Sequence, residues 1–268
     1  MIQKITSNKN KLIRNVILLQ SKSRERKKQN LIVIEGRKEI ELAFQSGINV
    51  KQLLYCNEII SSSEVQKMFE NLSNDIQYFE VSRDVFSKIS YRETTGGLVA
   101  IAETPEKNLC DLKITGKSVF VILESVEKPG NLGAIARIAD GSGIDGVIVT
   151  EPLTDIYNPN AIRASLGCVF TNDIIVAEFS DVIDWLQKNK IKSYAAELKA
   201  SELYHKADIQ GNVAFVFGTE ATGLTDRWIN ACDYRIKIPM LGYIDSLNVS
   251  ASVAVVVYEA MRQRNFLV

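Results

Sequence analysis

A chain of 268 residues with 46% hydrophobic and 24% charged side chains has room for one large domain or two smaller ones, and is too apolar for disorder or a collagen-like repeat. Its formal net charge is zero, yet residues 1–30 carry nine basic side chains against one acid, Glu25, leaving eight net negative charges for the rest. Cys56, Cys110, Cys168 and Cys232 are scattered, without a CxxC pair, and His205 is the single histidine, so neither a disulfide framework nor a metal site is expected. The longest apolar runs, such as VAFVF at 213–217, fall far short of the roughly 20 residues that cross a bilayer. The N-terminus lacks the apolar core of a signal peptide, and a cytoplasmic protein is expected.

Leu12, Ile13, Val16, Ile17 and Leu19 recur at helical spacing within residues 8–21, and SKSRERKKQN then reads as a charged loop. LIVIEG at 31–36 reads as a buried strand, followed by helical RKEIELAFQSG with Gly47 as its stop. Further strands fit 50–56, 76–81 and 97–103, making the first hundred residues a small α/β unit. TPEKNLCDLKITGK at 104–117 has no clear period and is the best linker candidate. The rhythm then restarts: strand-like SVFVILES, helix-like NLGAIARIADGSG, strand-like GVIVTE and a helix near 159–166. Strands at 192–198, 212–218 and 234–240 and a last helix from about 248 to 264 follow. This alternation predicts a mostly parallel sheet covered on both faces, with ligands beyond the carboxyl ends of its strands.

Three segments sit at such ends. In NLGAIAR a helix starting near Asn131 carries Arg137 six residues on; the same residues also fit a helix cap, a close-packing Gly133 and a solvated arginine. FGTEATGL, at 217–224, brackets Thr219, Glu220 and Thr222 with glycines, so its backbone can approach a ligand closely. It is neither a GxGxxG nor a Walker loop, and Glu220 suits a cation better than an anion; a plain strand-to-helix turn is the alternative. IPMLGYIDSLNVSASVAVVVYEA, at 238–260, leads through a polar loop into a helix apolar on most sides, which belongs in the core or against a second subunit.

In this order and spacing the three segments resemble the three motifs of the SPOUT superfamily, in particular its SpoU/TrmH branch of RNA ribose 2′-O-methyltransferases, over residues 118–264. VIEGRKEIELAFQSG at 33–47 resembles, more loosely, the L30e-like substrate-binding domain that precedes the catalytic domain in many members. The resemblance implies an L30e-like domain over 1–105, a linker over 106–117 and, over 118–268, an α/β methyltransferase domain with a deep trefoil knot. It implies S-adenosylmethionine as cofactor, held by Gly218, Thr219, Glu220, Gly223, Ile238, Met240, Ser246, Leu247 and Asn248. Arg137 and Asn131 would form the catalytic corner, with Glu220, Ser246 and Asn248 positioning cofactor and hydroxyl. It further implies a homodimer that buries part of the 249–257 face. RNA, ribosomal in preference to transfer, is the implied partner, and no metal or membrane is involved. Lys9, Arg14, Arg24, Arg26, Lys27, Lys28 and Arg37 are the candidate RNA contacts, through phosphate rather than sequence. The rival reading is a non-catalytic RNA-binding protein, which leaves FGTEATGL and SLNVSAS without a purpose.

Overall fold

The structure, a computed structural model, describes residues 3–69, 76–91, 96–200 and 202–266. They form two compact units: Met1–Pro105 with Tyr157–Thr171, and Glu106–Ile156 with Asn172–Val268.

In the first unit, β1 (Gln3–Ile5), β2 (Leu31–Glu35), β3 (Val50–Tyr55), β4 (Gln77–Val81) and β5 (Leu98–Glu103) form a sheet of order β1-β4-β3-β5-β2. β4 runs parallel to β1 and β3, while β5 is antiparallel to β3 and β2. The helices are α1 (Lys11–Ser21), α2 (Ser23–Gln29), α3 (Arg37–Gln45), α4 (Ser62–Phe69) and α5 (Arg83–Ile89). Asn10 caps α1 by accepting from the Leu12 N–H at 2.8 Å, and Ile13, Val16 and Leu19 turn fully inward. Leu12 is half-buried and Ile17 stays exposed.

The expected charged loop after α1 is instead helix α2. Its organising contact is polar: Arg26 is buried and donates to the Leu19 carbonyl at 2.5 Å and the Gln20 carbonyl at 3.4 Å. Those carbonyls close α1, where helical partners run out, and a guanidinium satisfies them. A helix held in this way shows no apolar period.

In the second unit, β6 (Val119–Glu124), β7 (Gly146–Thr150), β8 (Ile174–Val176), β9 (Lys192–Ala196), β10 (Glu202–Leu203), β11 (Val213–Phe217) and β12 (Tyr234–Lys237) form an all-parallel sheet of order β10-β12-β9-β11-β6-β7-β8. Every residue of β6, β7 and β11 is buried, as central parallel strands require. α6 (Pro129–Ser142), α9 (Phe179–Lys188), α10 (Asp226–Ala231) and α11 (Val249–Gln263) belong to this unit; α7 (Pro159–Ala164) and α8 (Cys168–Thr171) belong to the first. α11 packs on α6, β6 and β11 and buries Val253, Val256 and Val257 within the unit itself.

These units depart from the expected partition at two places. Residues 106–117 are packed rather than free: Lys107 Nζ donates to the Asn172 carbonyl and pairs with Asp173, each at 2.8 Å, and Leu112 is buried in the second core. Residues 157–171 join the first unit. There Ala161 and Ile162 are buried, and a Cβ added at Gly167 would lie 3.1 Å from Glu39 Cα, so only glycine permits this approach to α3.

Ladder register places Phe217 level with Leu123, and Ile236 level with Ala196. The segments following β6, β9, β11 and β12 therefore leave one end of the sheet together, on either side of the point where the strand order reverses.

Candidate active site

Residues 218–224 make a closed loop. The Thr219 N–H donates to the Gly223 carbonyl and the Gly223 N–H to the Thr219 carbonyl, both at 3.1 Å. Thr219 Oγ1 also accepts from the Thr222 N–H at 3.1 Å. Gly223 has φ +71°, and a Cβ at Gly218 would meet the Gly223 carbonyl carbon and oxygen at 2.1 Å. Both glycines are thus demanded by the backbone, one by conformation and one by contact.

The tip of this loop meets α6 and α11 at Glu220. Its carboxylate accepts from Lys128 Nζ and Asn131 Nδ2, and from Asn248 Nδ2 at 2.8 Å. Asn248 Nδ2 also lies 3.2 Å from Asn131 Oδ1. Asn248 is the N-cap of α11, its Oδ1 accepting from the Ser250 N–H at 3.0 Å and from Ser250 Oγ at 2.6 Å. The helix α6 begins at Pro129, two residues earlier than expected, so Asn131 lies inside its first turn and its side chain is free of capping. Hydrogen bonds from Lys128 and then Asn131 hold the Glu220 carboxyl below the usual carboxylate range, opposed weakly by burial. Glu220 is therefore a carboxylate at neutral pH, and the cation its position called for is Lys128. Lys128 is the member of this cluster that sequence reasoning missed; its signal was an acid in a glycine loop.

A second carboxylate steadies the loop from below. Glu124, the last residue of β6, is buried and accepts from the Thr225 N–H at 2.9 Å and Thr225 Oγ1 at 2.7 Å. Thr225 follows the glycine loop directly and stands just before α10, its hydroxyl given to Glu124 rather than to the helix end. Arg227, two residues on, bonds Glu151 at 2.8 Å and lies 4.2 Å from the Phe179 ring centroid. Removing the buried acceptor strands its donors, so Glu124→Ala should cost about 1–3 kcal/mol of stability. Glu124→Gln, whose amide can serve both Thr225 groups, should cost clearly less; urea melts compare the two, and equal losses would show that these bonds are not the source.

Beside the loop lies an open cavity of about 650 Å³, a volume suited to a small molecule. Eight of the nine expected cofactor contacts line it: Gly218, Thr219, Glu220, Gly223, Ile238, Met240, Ser246 and Leu247. Asn248 stands outside its wall, in the Glu220 cluster. Glu197, Leu198 and Lys199, after β9, also line the cavity and had no motif to announce them. Arg137 is exposed and joins neither cavity nor cluster. Six residues beyond Asn131, it lies about 9 Å further along α6 and about 120° round from it. Among the described residues no group of His, Cys, Asp and Glu could hold a metal, and no helix is long and apolar enough to cross a membrane.

The expected RNA contacts lie in the first unit. Lys9, Arg14, Arg24, Lys27 and Lys28 are exposed, and so is Arg37, whose Nε bonds Glu41 at 3.0 Å. Arg26 is withdrawn from that set, because its buried guanidinium is committed to the end of α1.

A parallel α/β sheet with a glycine-bounded loop, a carboxylate–amide cluster and a small-molecule cavity at one strand end defines the class of the RNA-modifying α/β enzymes whose motifs the sequence resembles. Residues 118–258 match the SpoU rRNA Methylase family, and the chain belongs to it. Residues 10–100 match the MRM3-like substrate binding domain. The chain is similar to the Bacillus subtilis 23S rRNA (guanosine(2553)-2'-O)-methyltransferase RlmP, at 29% identity over 96% of this chain and 98% of that protein. It is also similar to a 23S rRNA (uridine(2479)-2'-O)-methyltransferase of Streptomyces viridochromogenes, at 27% identity over 87% of this chain and 83% of that one. Among solved structures, an AdoMet-bound rRNA methyltransferase from Sinorhizobium meliloti superposes with TM-score 0.90 at 28% identity, covering 98% of each chain. A structure described as an RNA 2'-O ribose methyltransferase superposes with TM-score 0.84 at 36% identity, covering 98% of this chain and 100% of that chain.

Proposed function

We propose that this protein transfers a methyl group from S-adenosylmethionine to a ribose 2′-hydroxyl of large-subunit ribosomal RNA, in the cytoplasm. The observation that carries the reading is the meeting of all three motifs around Glu220, beside a cavity of cofactor size. The residues fit the cofactor. Gly218 and Gly223 let the loop close on itself at the cavity wall, and Ile238 and Leu247 offer apolar wall for a base.

When bound, S-adenosylmethionine supplies a methyl carbon on a positively charged sulfur with a neutral leaving group, so the protein's task is chiefly alignment. Asn131, locked between Glu220 and Asn248, presents a fixed amide; Ser246, at the cavity rim, presents a hydroxyl. Arg137 stands outside this chain's cofactor cavity, so its part lies on the RNA side, where it binds the ribose or its neighbouring phosphate and stabilises negative charge as it develops on the attacking oxygen. A guanidinium gives up its proton only with great difficulty, so Arg137 acts as a cation rather than as a base.

The same reading includes a homodimer and the trefoil knot. Of the 249–257 face expected to be partly buried in a dimer, Val253, Val256 and Val257 are covered inside the unit, while Ala251 is exposed and Val249, Ala254 and Val255 are half-buried. Apolar surface open to a partner includes the loop before α11, where Leu241, Tyr243 and Ile244 are exposed, and Tyr258 on α11. Light scattering should give about twice the 29.9 kDa chain mass, and Tyr243→Asp should shift it to the monomer; a monomeric parent at micromolar concentration would remove the dimer from the proposal.

The function is tested by calorimetric titration with S-adenosylmethionine, together with mass mapping of ribose methylation in ribosomal RNA from cells with and without the gene. Binding and the loss of one methylated ribose are expected. A protein that binds no cofactor even with RNA present would leave the non-catalytic alternative standing.

A further inference from the structure

Within the first unit, two residues far apart in sequence make an exposed stack. Tyr91, two residues beyond α5, is 70% exposed, and the Arg163 guanidinium carbon lies 3.9 Å from its ring centroid. Both partners are anchored. The Tyr91 N–H donates to Glu35 Oε1 at 2.6 Å, and Arg163 donates to Asn160 Oδ1. α7, which carries Arg163, is seated by the buried Ala161 and Ile162. With a cation over one face and Tyr91 still 70% exposed, none of the described residues is stacked on the second face. Arg37, two residues after the Glu35 that holds Tyr91, sets an exposed guanidinium at the same end of the sheet, with Glu41 on its Nε.

A ring backed by a guanidinium is a planar, polarisable surface rather than an apolar groove, and the ligand that matches it is another planar π system. We propose that Tyr91 and Arg163 form a platform on which one unpaired base of the RNA substrate stacks, with Arg37 meeting an adjoining phosphate. The proposal rests on the methyltransferase reading for the nature of its ligand. Unstacked bases are what RNA-binding proteins read best, and base stacking on an aromatic ring is tolerant of sequence. The platform thus selects an unpaired nucleotide, leaving the choice among bases to other contacts.

The test uses the full chain, a labelled short oligouridine, and the same strand annealed to oligoadenosine, with fluorescence anisotropy at low and high salt. Tyr91→Ala should weaken single-strand binding about tenfold, a loss typical of one stacked base. Tyr91→Phe should stay within about twofold of the parent, because the ring face is retained. The Tyr91→Ala loss should be similar at both salt concentrations, whereas Arg37→Ala should reduce the salt slope by about one. Duplex binding should be little changed by Tyr91→Ala. The platform is overturned if the parent does not bind the single strand, if Tyr91→Ala binds it as well as the parent, or if Tyr91→Phe loses as much as Tyr91→Ala. Cofactor titration of the same variants separates the two ideas. Parent-like S-adenosylmethionine binding with unchanged RNA affinity sinks the platform alone, while a parent that neither binds cofactor nor methylates RNA sinks the functional reading.

Discussion

Arg137→Ala should lower methyl transfer by about 10²–10³-fold, the loss typical of removing one group that stabilises charge on a reacting oxygen. Cofactor affinity should stay close to that of the parent, because Arg137 lines no part of the cavity. The separation is credible on physical grounds. Arg137 is exposed on α6, and among the described residues it has no hydrogen-bond or ion-pair partner, so its removal strands no buried group and should change stability by no more than about 0.5 kcal/mol. Methyl incorporation into ribosomal RNA, calorimetry and a thermal melt on the same preparation check all three parts. A variant that loses cofactor binding or unfolds would show that Arg137 serves the scaffold instead. Arg137→Lys should restore little, because an ammonium lacks the planar fork of donors.

Gly218→Ala should do the opposite, weakening cofactor binding while leaving the chemistry of any bound complex less affected. The added Cβ would lie 2.1 Å from both the Gly223 carbonyl carbon and its oxygen, and 2.3 Å from the Leu224 nitrogen. These are backbone atoms, so no side chain can swing aside and the paired bonds between Thr219 and Gly223 must open. Overpacking of this sort costs about 1–3 kcal/mol, which corresponds to about a 5- to 150-fold loss of affinity if the displaced loop must be restored on binding. Calorimetry measures it; parent-like affinity would mean that the loop closes around its ligand in another way.

Much of the second unit was legible because its central strands are continuous apolar runs, such as FVIL, GVIV and VAFVF, bounded by turn residues. Parallel strands covered on both faces have to look like this. The site was legible for a related reason. Glycines that the backbone demands at 218 and 223, and an acid set between them, leave a mark in the sequence. What stayed hidden was held by polar or distant partners. α2 has no apolar face because Arg26 organises it. Residues 106–117 lack a period because their anchors are single contacts, Lys107 on Asp173 and Leu112 in the core. Lys128 looked like any surface lysine until Glu220 was placed beside it.

The excursion of 157–171 into the first unit bears on how such a protein can be divided. The chain leaves one sheet after β7, contributes α7 and α8 to the other unit, and comes back for β8. A gene fragment starting at residue 106 would still encode Ala161, Ile162, Val169 and Phe170, all buried in the whole protein, but not the partners of the first unit that help to cover them. Such a fragment exposes fresh apolar surface and invites aggregation. Swapping substrate-recognition modules between relatives with this architecture therefore means exchanging two separate segments of the coding sequence, and an exchange of the N-terminal portion alone would separate helices that fold together.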